Sequence, residues 1–304
     1  MRILYVANHG CGGNDDEGAI THALNQLGHD VACIPETNPD YALSIDADFL
    51  LFHKWSNLDA LARIRMPKVF WYFDLVSQND LTMEKRNANR MQWMHDITPL
   101  VDLGFCTDGD WVEQDESGKL LQLCQGMDER QMKNFVLGAS PDKSIDILMM
   151  GTLNGGTVRR SFVSEMSNQW GSRFHHVQQG VHGRELLDLI RSSKIVVAPD
   201  GPITNKYWSN RVYLMLGMGA FLLHPYCLEL SKQYEHSKHL LYYRSRGDLY
   251  AMLHEYLSDD RTVHRDLIAR AGYQHTLEEH LYSHRCSKLI VRVCSRIFGK
   301  ERSI

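Results

Sequence analysis

A chain of 304 residues exceeds what one hydrophobic core usually organises, so two domains of roughly 150 residues are expected. Hydrophobic residues make up 43% and charged residues 23%; that composition excludes a disordered or collagen-like chain, and no apolar run reaches the ~18 residues that cross a bilayer. The net charge of −4 hides an asymmetry, because residues 1–137 carry 11 Lys/Arg against 21 Asp/Glu and the remainder carries 22 against 16, which assigns an anionic ligand to the second half.

Arg2–Ala7 reads as a buried first strand. Next come a helix over Glu17–Leu27 closed by Gly28, a strand at His29–Ile34, a strand at Asp48–Phe52, a helix at Leu58–Arg65 and a strand at Lys68–Phe73. Val101–Cys106 and Leu120–Cys124 extend that sheet. Gly138-Ala139-Ser140-Pro141 suits a connector, which divides the chain into domains at 1–137 and 138–304, with the last helix able to pack back on the first.

A second series follows: strand Asp146–Met150, helix Arg159–Trp170, strand Arg173–Gln178, helix Glu185–Ser192 and strand Ile195–Ala198. A helix around Asn210–Leu216, a strand at Ala220–Leu223 and helices at Asp248–Leu257 and Arg261–Glu279 complete it. Strict alternation of strand and helix predicts an α/β chain of two doubly wound, Rossmann-like domains, with ligands at the carboxyl ends of strands that face a shared cleft. The seven cysteines are scattered without a CxxC spacing, which argues against a zinc or redox site and fits a reducing cytoplasm.

Two glycine-rich loops separate strand from helix. The first, Asn8-His9-Gly10-Cys11-Gly12-Gly13-Asn14, fails the dinucleotide fingerprint because Asp15 stands where the last glycine belongs. With Asp15, Asp16 and Glu17 opening the helix, a phosphate would meet like charge; Gly12 and Gly13 suit the approach of a neutral hydroxylated group such as a sugar or an acceptor. The second loop, Gly151-Thr152-Leu153-Asn154-Gly155-Gly156-Thr157, leads into a helix carrying Arg159 and Arg160. Backbone N–H groups, a hydroxyl and guanidinium groups in that order make a phosphate cradle. Thr157 stands where a P-loop needs lysine, so nucleoside triphosphate hydrolysis is disfavoured.

Asn210-Arg211-Val212-Tyr213-Leu214-Met215-Leu216-Gly217-Met218-Gly219-Ala220-Phe221-Leu222-Leu223 resembles the donor-site helix and following strand of CgeB-like glycosyltransferases, relatives of the large retaining GT-B group. The tail through Arg270-Ala271-Gly272 and Tyr282-Ser283-His284-Arg285 is similar to theirs, as more loosely are Gly104–Asp108 and Leu123–Asp128. The resemblance implies a GT-B transferase that takes a sugar from a nucleotide-sugar, UDP-sugar first, with retention and without a metal or resident cofactor. Leu214 departs from the pattern: the family places there a glutamate for the nucleotide ribose, and neighbouring Tyr213 is the candidate to take over.

Breaking the bond to a nucleoside diphosphate requires stabilisation of the leaving charge, for which Arg211, Lys206, Arg159 and Thr152 are candidates, with Gly151, Asn210 and Tyr213 completing the donor set. In the first half, His53 resembles the histidine that contacts the donor sugar in related enzymes, and Asp74 and Asp16 are candidates for general base or acceptor contact. The acceptor is open between glycans, small metabolites and hydroxymethylated DNA bases. For DNA, the candidates are the basic run Lys85–Arg90 with Arg63, Arg65 and Lys68, and Trp71 and Trp93 as stacking groups. Asp46-Ala47-Asp48 and Asp108-Gly109-Asp110 match the short pattern of metal-dependent GT-A enzymes, but the two-domain count argues against that class. A binder of sugars or nucleotides without turnover is the remaining alternative.

Overall fold

The computed structural model describes residues 1–9, 15–77, 84–132, 143–151, 153, 157–178, 180–198 and 204–299. They form two compact units, Met1–Glu129 with Leu281–Ile304, and Arg130–His280.

The first unit holds strands β1 (Arg2–Ala7), β2 (Asp30–Pro35), β3 (Phe49–Phe52), β4 (Lys68–Tyr72), β5 (Leu103–Cys106) and β6 (Leu120–Gln122). All pair in parallel, in the order β2-β1-β3-β4-β5-β6. The helices are α1 (Asp16–Gln26), α2 (Leu58–Arg63), α3 (Glu84–Ile97), α4 (Gly109–Val112) and α5 (Glu129–Met132), the last shared with the unit boundary. The period of two decides which side chains meet which layer. Tyr5, Leu51 and Trp71 pack one face against Ile20 and Leu24 of α1, whereas Leu4, Leu50 and Phe70 pack the other against Leu61 and Met94 of α2 and α3.

The chain begins α1 with the Asp15 carboxylate accepting from Gly18 N at 2.8 Å, and Asp16 and Glu17 complement the positive end of the helix. Gly28, at φ +81°, ends it where a side chain would be strained.

The second unit repeats this winding order. Its strands are β7 (Ile145–Met150), β8 (Phe174–Val177), β9 (Ser193–Val197), β10 (Leu222–Pro225) and β11 (Leu241–Tyr243), ordered β11-β10-β9-β7-β8 and again parallel. Helices α6 (Thr157–Trp170), α7 (Gly183–Arg191), α8 (Arg211–Gly217), α9 (Leu228–Gln233), α10 (Arg246–Tyr256) and α11 (Thr262–Glu279) surround them. Ile147, Phe162, Val197, Leu223 and Leu253 centre the main core cluster. In each unit the strand order reverses next to the first strand, between β1 and β3 and between β7 and β9, where an open parallel sheet binds its ligands.

The last helix, α12 (Tyr282–Ile297), belongs to the first unit. Cys286, Leu289 and Val293 are buried in the same core as Tyr5 and Trp71. Tyr282 N donates to Met127 O at 3.0 Å and Arg285 Nε to Gln125 O at 3.0 Å, which fixes the entry of the helix. Among the described residues no helix is long and apolar enough to cross a membrane.

Candidate functional site

In the second unit, Gly151 follows β7 at the switch point, with φ +137°, a conformation open to glycine. His176 of β8 donates from Nε2 to the Gly151 carbonyl at 2.8 Å. A Cβ at Gly151 would sit 3.5 Å from Arg159 Nη1 and 3.5 Å from Arg211 Cζ. Two guanidinium groups, one from the first turn of α6 and one from the first residue of α8, therefore converge on a single bare stretch of backbone. Like charges brought together at helix starts favour an anion.

The other donor candidates frame α8. Asn210 is its N-cap, with its carbonyl accepting from Tyr213 N at 3.0 Å and Leu214 N at 3.2 Å. Lys206 lies in the segment before it, which is tied to α9 by Glu229 N donating to Asn205 O at 3.0 Å. Tyr213 points inward instead: it is 1% exposed, and its hydroxyl accepts from Trp208 Nε1 at 3.0 Å and donates to Gln233 Oε1 at 3.0 Å. Replacing the missing ribose contact does not suit such a side chain, which anchors α8 in the core. Thr152 lies outside the described residues.

In the first unit, His53 follows β3 and is buried with both ring nitrogens engaged. Nδ1 donates to Trp71 O at 2.6 Å, and Nε2 accepts from the Tyr5 hydroxyl. Burial lowers its pKa to about 4, so the ring is neutral at neutral pH. Asp16 takes the Tyr282 hydroxyl on Oδ1 at 2.6 Å and Gln125 Nε2 on Oδ2 at 2.6 Å, which links α1 to α12. Asp74, just past β4, is bracketed by Arg90 Nη2 at 3.1 Å and Lys54 Nζ at 3.7 Å and lines a cavity of about 550 Å³. Gly12 and Gly13 lie outside the described residues. Beside that loop, burial with Asp16 and Asp15 nearby pushes Glu17 up to about 7.

Several assignments change. Trp71 is fully buried with Nε1 donating to Leu123 O at 2.9 Å, so it has no face for a nucleobase. Arg63 and Arg65 line a separate recess with Asp46, away from the cavity that Arg90 lines. The Asp108-Gly109-Asp110 run is a helix cap: Asp108, fully buried, accepts from Val76 N and Ser77 N at 2.8 Å and from Asp110 N and Trp111 N at 3.1 and 3.3 Å. It thereby fixes the loop after Asp74. Sequence reasoning missed this hub and also missed Tyr226, which follows β10 and carries the Arg244 guanidinium 3.5 Å over its ring. An aromatic and a cation each placed just after neighbouring parallel strands were the signal.

Two parallel sheets of this winding, each with its strand order reversing beside the first strand, make an α/β protein of two Rossmann-like domains. A family model described as glycosyl transferase-like matches residues 137–290, and the chain belongs to that family of glycosyltransferases. Its fold is similar to sucrose-phosphate synthase from Thermosynechococcus elongatus, with a TM-score of 0.68 at 10% identity, covering 98% of this chain and 99% of the other. It is also similar to a glycosyltransferase from Rickettsia africae (0.63, 9%, 98% and 99%) and to Anabaena HepE in complex with UDP-glucose (0.62, 11%, 98% and 100%). No curated protein matches the chain in sequence.

Proposed function

We propose that this glycosyltransferase takes a sugar from a nucleoside diphosphate donor, UDP-sugar first, and passes it to a hydroxyl on an acceptor held by the first unit. The convergence of Arg159 and Arg211 on Gly151 carries this reading. As the bond from the anomeric carbon to phosphate breaks, charge grows on the departing diphosphate, and preorganised guanidinium groups stabilise that charge more than they stabilise the ground state. Lys206 and Asn210, leading into α8, belong to the same donor set, as do Thr152 and the rest of its glycine loop. A helix-start anion site of this kind supports chemistry without a divalent cation, and the CgeB-like pattern around Arg211 supports retention. Asp74 is the acceptor contact, His53 holds the end of β4 beside it, and Asp16 ties α1 to α12. The scattered cysteines, with no CxxC spacing, support a reducing cytoplasm.

The first experiment is a thermal-shift screen of nucleoside diphosphates, followed by release of free diphosphate from matching nucleotide-sugars with and without EDTA. Stabilisation by UDP, lost in Arg211→Ala, and EDTA-insensitive release are expected; no shift with any diphosphate sinks the donor site. Leu214, together with the inward Tyr213, favours a second reading, a binder without turnover. Binding with no release under any acceptor mixture would establish it.

A further inference from the structure

The cavity beside Asp74 has features that narrow what enters it. It sits past the carboxyl ends of β3 and β4 and is bordered by Asn89, Arg90 and Trp93 of α3. Its wall is aromatic and rigid. Tyr72 stacks on Trp93 at 5.2 Å between centroids, and Trp93 Nε1 donates to Trp55 O at 3.0 Å. Trp55 itself is 2% exposed, and its Nε1 has no hydrogen-bond partner among the described residues, an uncommon state for a buried indole. The rim is charged but balanced, with Lys54 and Arg90 against Glu36 and Asp74. At about 550 Å³ the space matches a small-molecule site.

A nucleic-acid surface needs an excess of positive charge to replace the counterions of the phosphates, and this rim has none. A plain sugar lays only its axial C–H face on such a wall, whereas a fully apolar ring buries the whole of one face against it. We propose that the occupant is an uncharged small molecule carrying a hydroxyl next to an apolar ring. The ring lies against Trp93, with the buried Tyr72 and Trp55 behind it, and the hydroxyl reaches the Asp74 carboxylate, whose two cations hold it in place. Calling this occupant the acceptor rests on the transferase reading above; the cavity's preference does not.

The test uses the full chain and isothermal titration with phenyl β-glucoside, methyl β-glucoside and a short DNA duplex, in the absence of any nucleotide. Ser56→Trp and Asn89→Trp plug the cavity from two exposed rim positions. Phenyl β-glucoside is expected to bind about tenfold more tightly than the methyl glycoside, from burial of one ring, and each plug should weaken it by about tenfold or more. The UDP-induced thermal shift, read on the same variants, reports an intact second unit. Equal binding of the two glycosides, indifference to both plugs, or duplex binding that the plugs abolish would each overturn the proposal. Phenyl glycoside binding lost on plugging, with no UDP shift in any variant, would leave the cavity's preference standing while the donor reading falls.

Discussion

Arg159 and Arg211 start from different helices, and both guanidinium groups end at the same place, 3.5 Å from where a Gly151 side chain would begin. Removing either should cost more than one surface charge if, as proposed, the pair acts on a single developing diphosphate. Arg211→Ala is expected to lower transfer by about 10²-fold or more, with Arg211→Lys recovering only part, since an ammonium lacks the planar fork. Steady-state kinetics with a saturating donor separates this from a simple loss of affinity.

Gly151→Ala tests the backbone under that pair. The added methyl meets the guanidinium groups at ordinary contact distance, but φ +137° is strained for any side chain. A loss of about 1–3 kcal/mol in urea unfolding is expected, along with a weaker UDP-induced shift as the loop rotates. An alanine variant that unfolds like the parent would mean that the turn relaxes freely.

Asp108→Ala removes the acceptor for four backbone N–H groups at once. Buried donors left without a partner, and the freed loop after Asp74, should cost about 3 kcal/mol or more in chemical denaturation. Asp108→Asn keeps part of the pattern and should fall between.

Glu17 supplies a pH test. Its folded pKa of about 7 lies above the ordinary glutamate value of 4.5, so the folded state favours the protonated form. Stability from this group is full below pH 4.5 and is lost as pH rises through 7. Glu17→Gln should therefore match the parent in melting temperature at pH 4.5 and exceed it at pH 8. A constant difference across that range would remove the assignment.

The strands were legible in the sequence because buried parallel strands read as short apolar runs, such as Phe49-Leu50-Leu51-Phe52, which forms β3 within one residue of the expected start. The three-residue β11 and the polar α3 carry too little periodicity to stand out, and neither was expected. Arg159 stood out as an anion candidate because strand, glycine turn and helix follow one another locally, whereas the convergence of Arg211 on the same Gly151 has no local signature. Asp108 did not stand out, since Val76 and Ser77 reach it from 32 and 31 residues away, and no spacing rule spans such a gap. Tyr213 misled for a related reason: a helix start is visible in sequence, but the face that turns inward depends on partners such as Gln233 of α9 and Trp208.

Because α12 completes the core that contains Tyr5 and Trp71, a ribosome must release residues through Ile297 before the first unit can close. Until then, the apolar slot for Cys286, Leu289 and Val293 stays wet beside α1. Expressing residues 1–129 alone should accordingly yield aggregates, and adding a synthetic α12 peptide should rescue solubility. Residues 282–297 thus act as an assembly checkpoint: a chain that stops short of them cannot acquire a working first half.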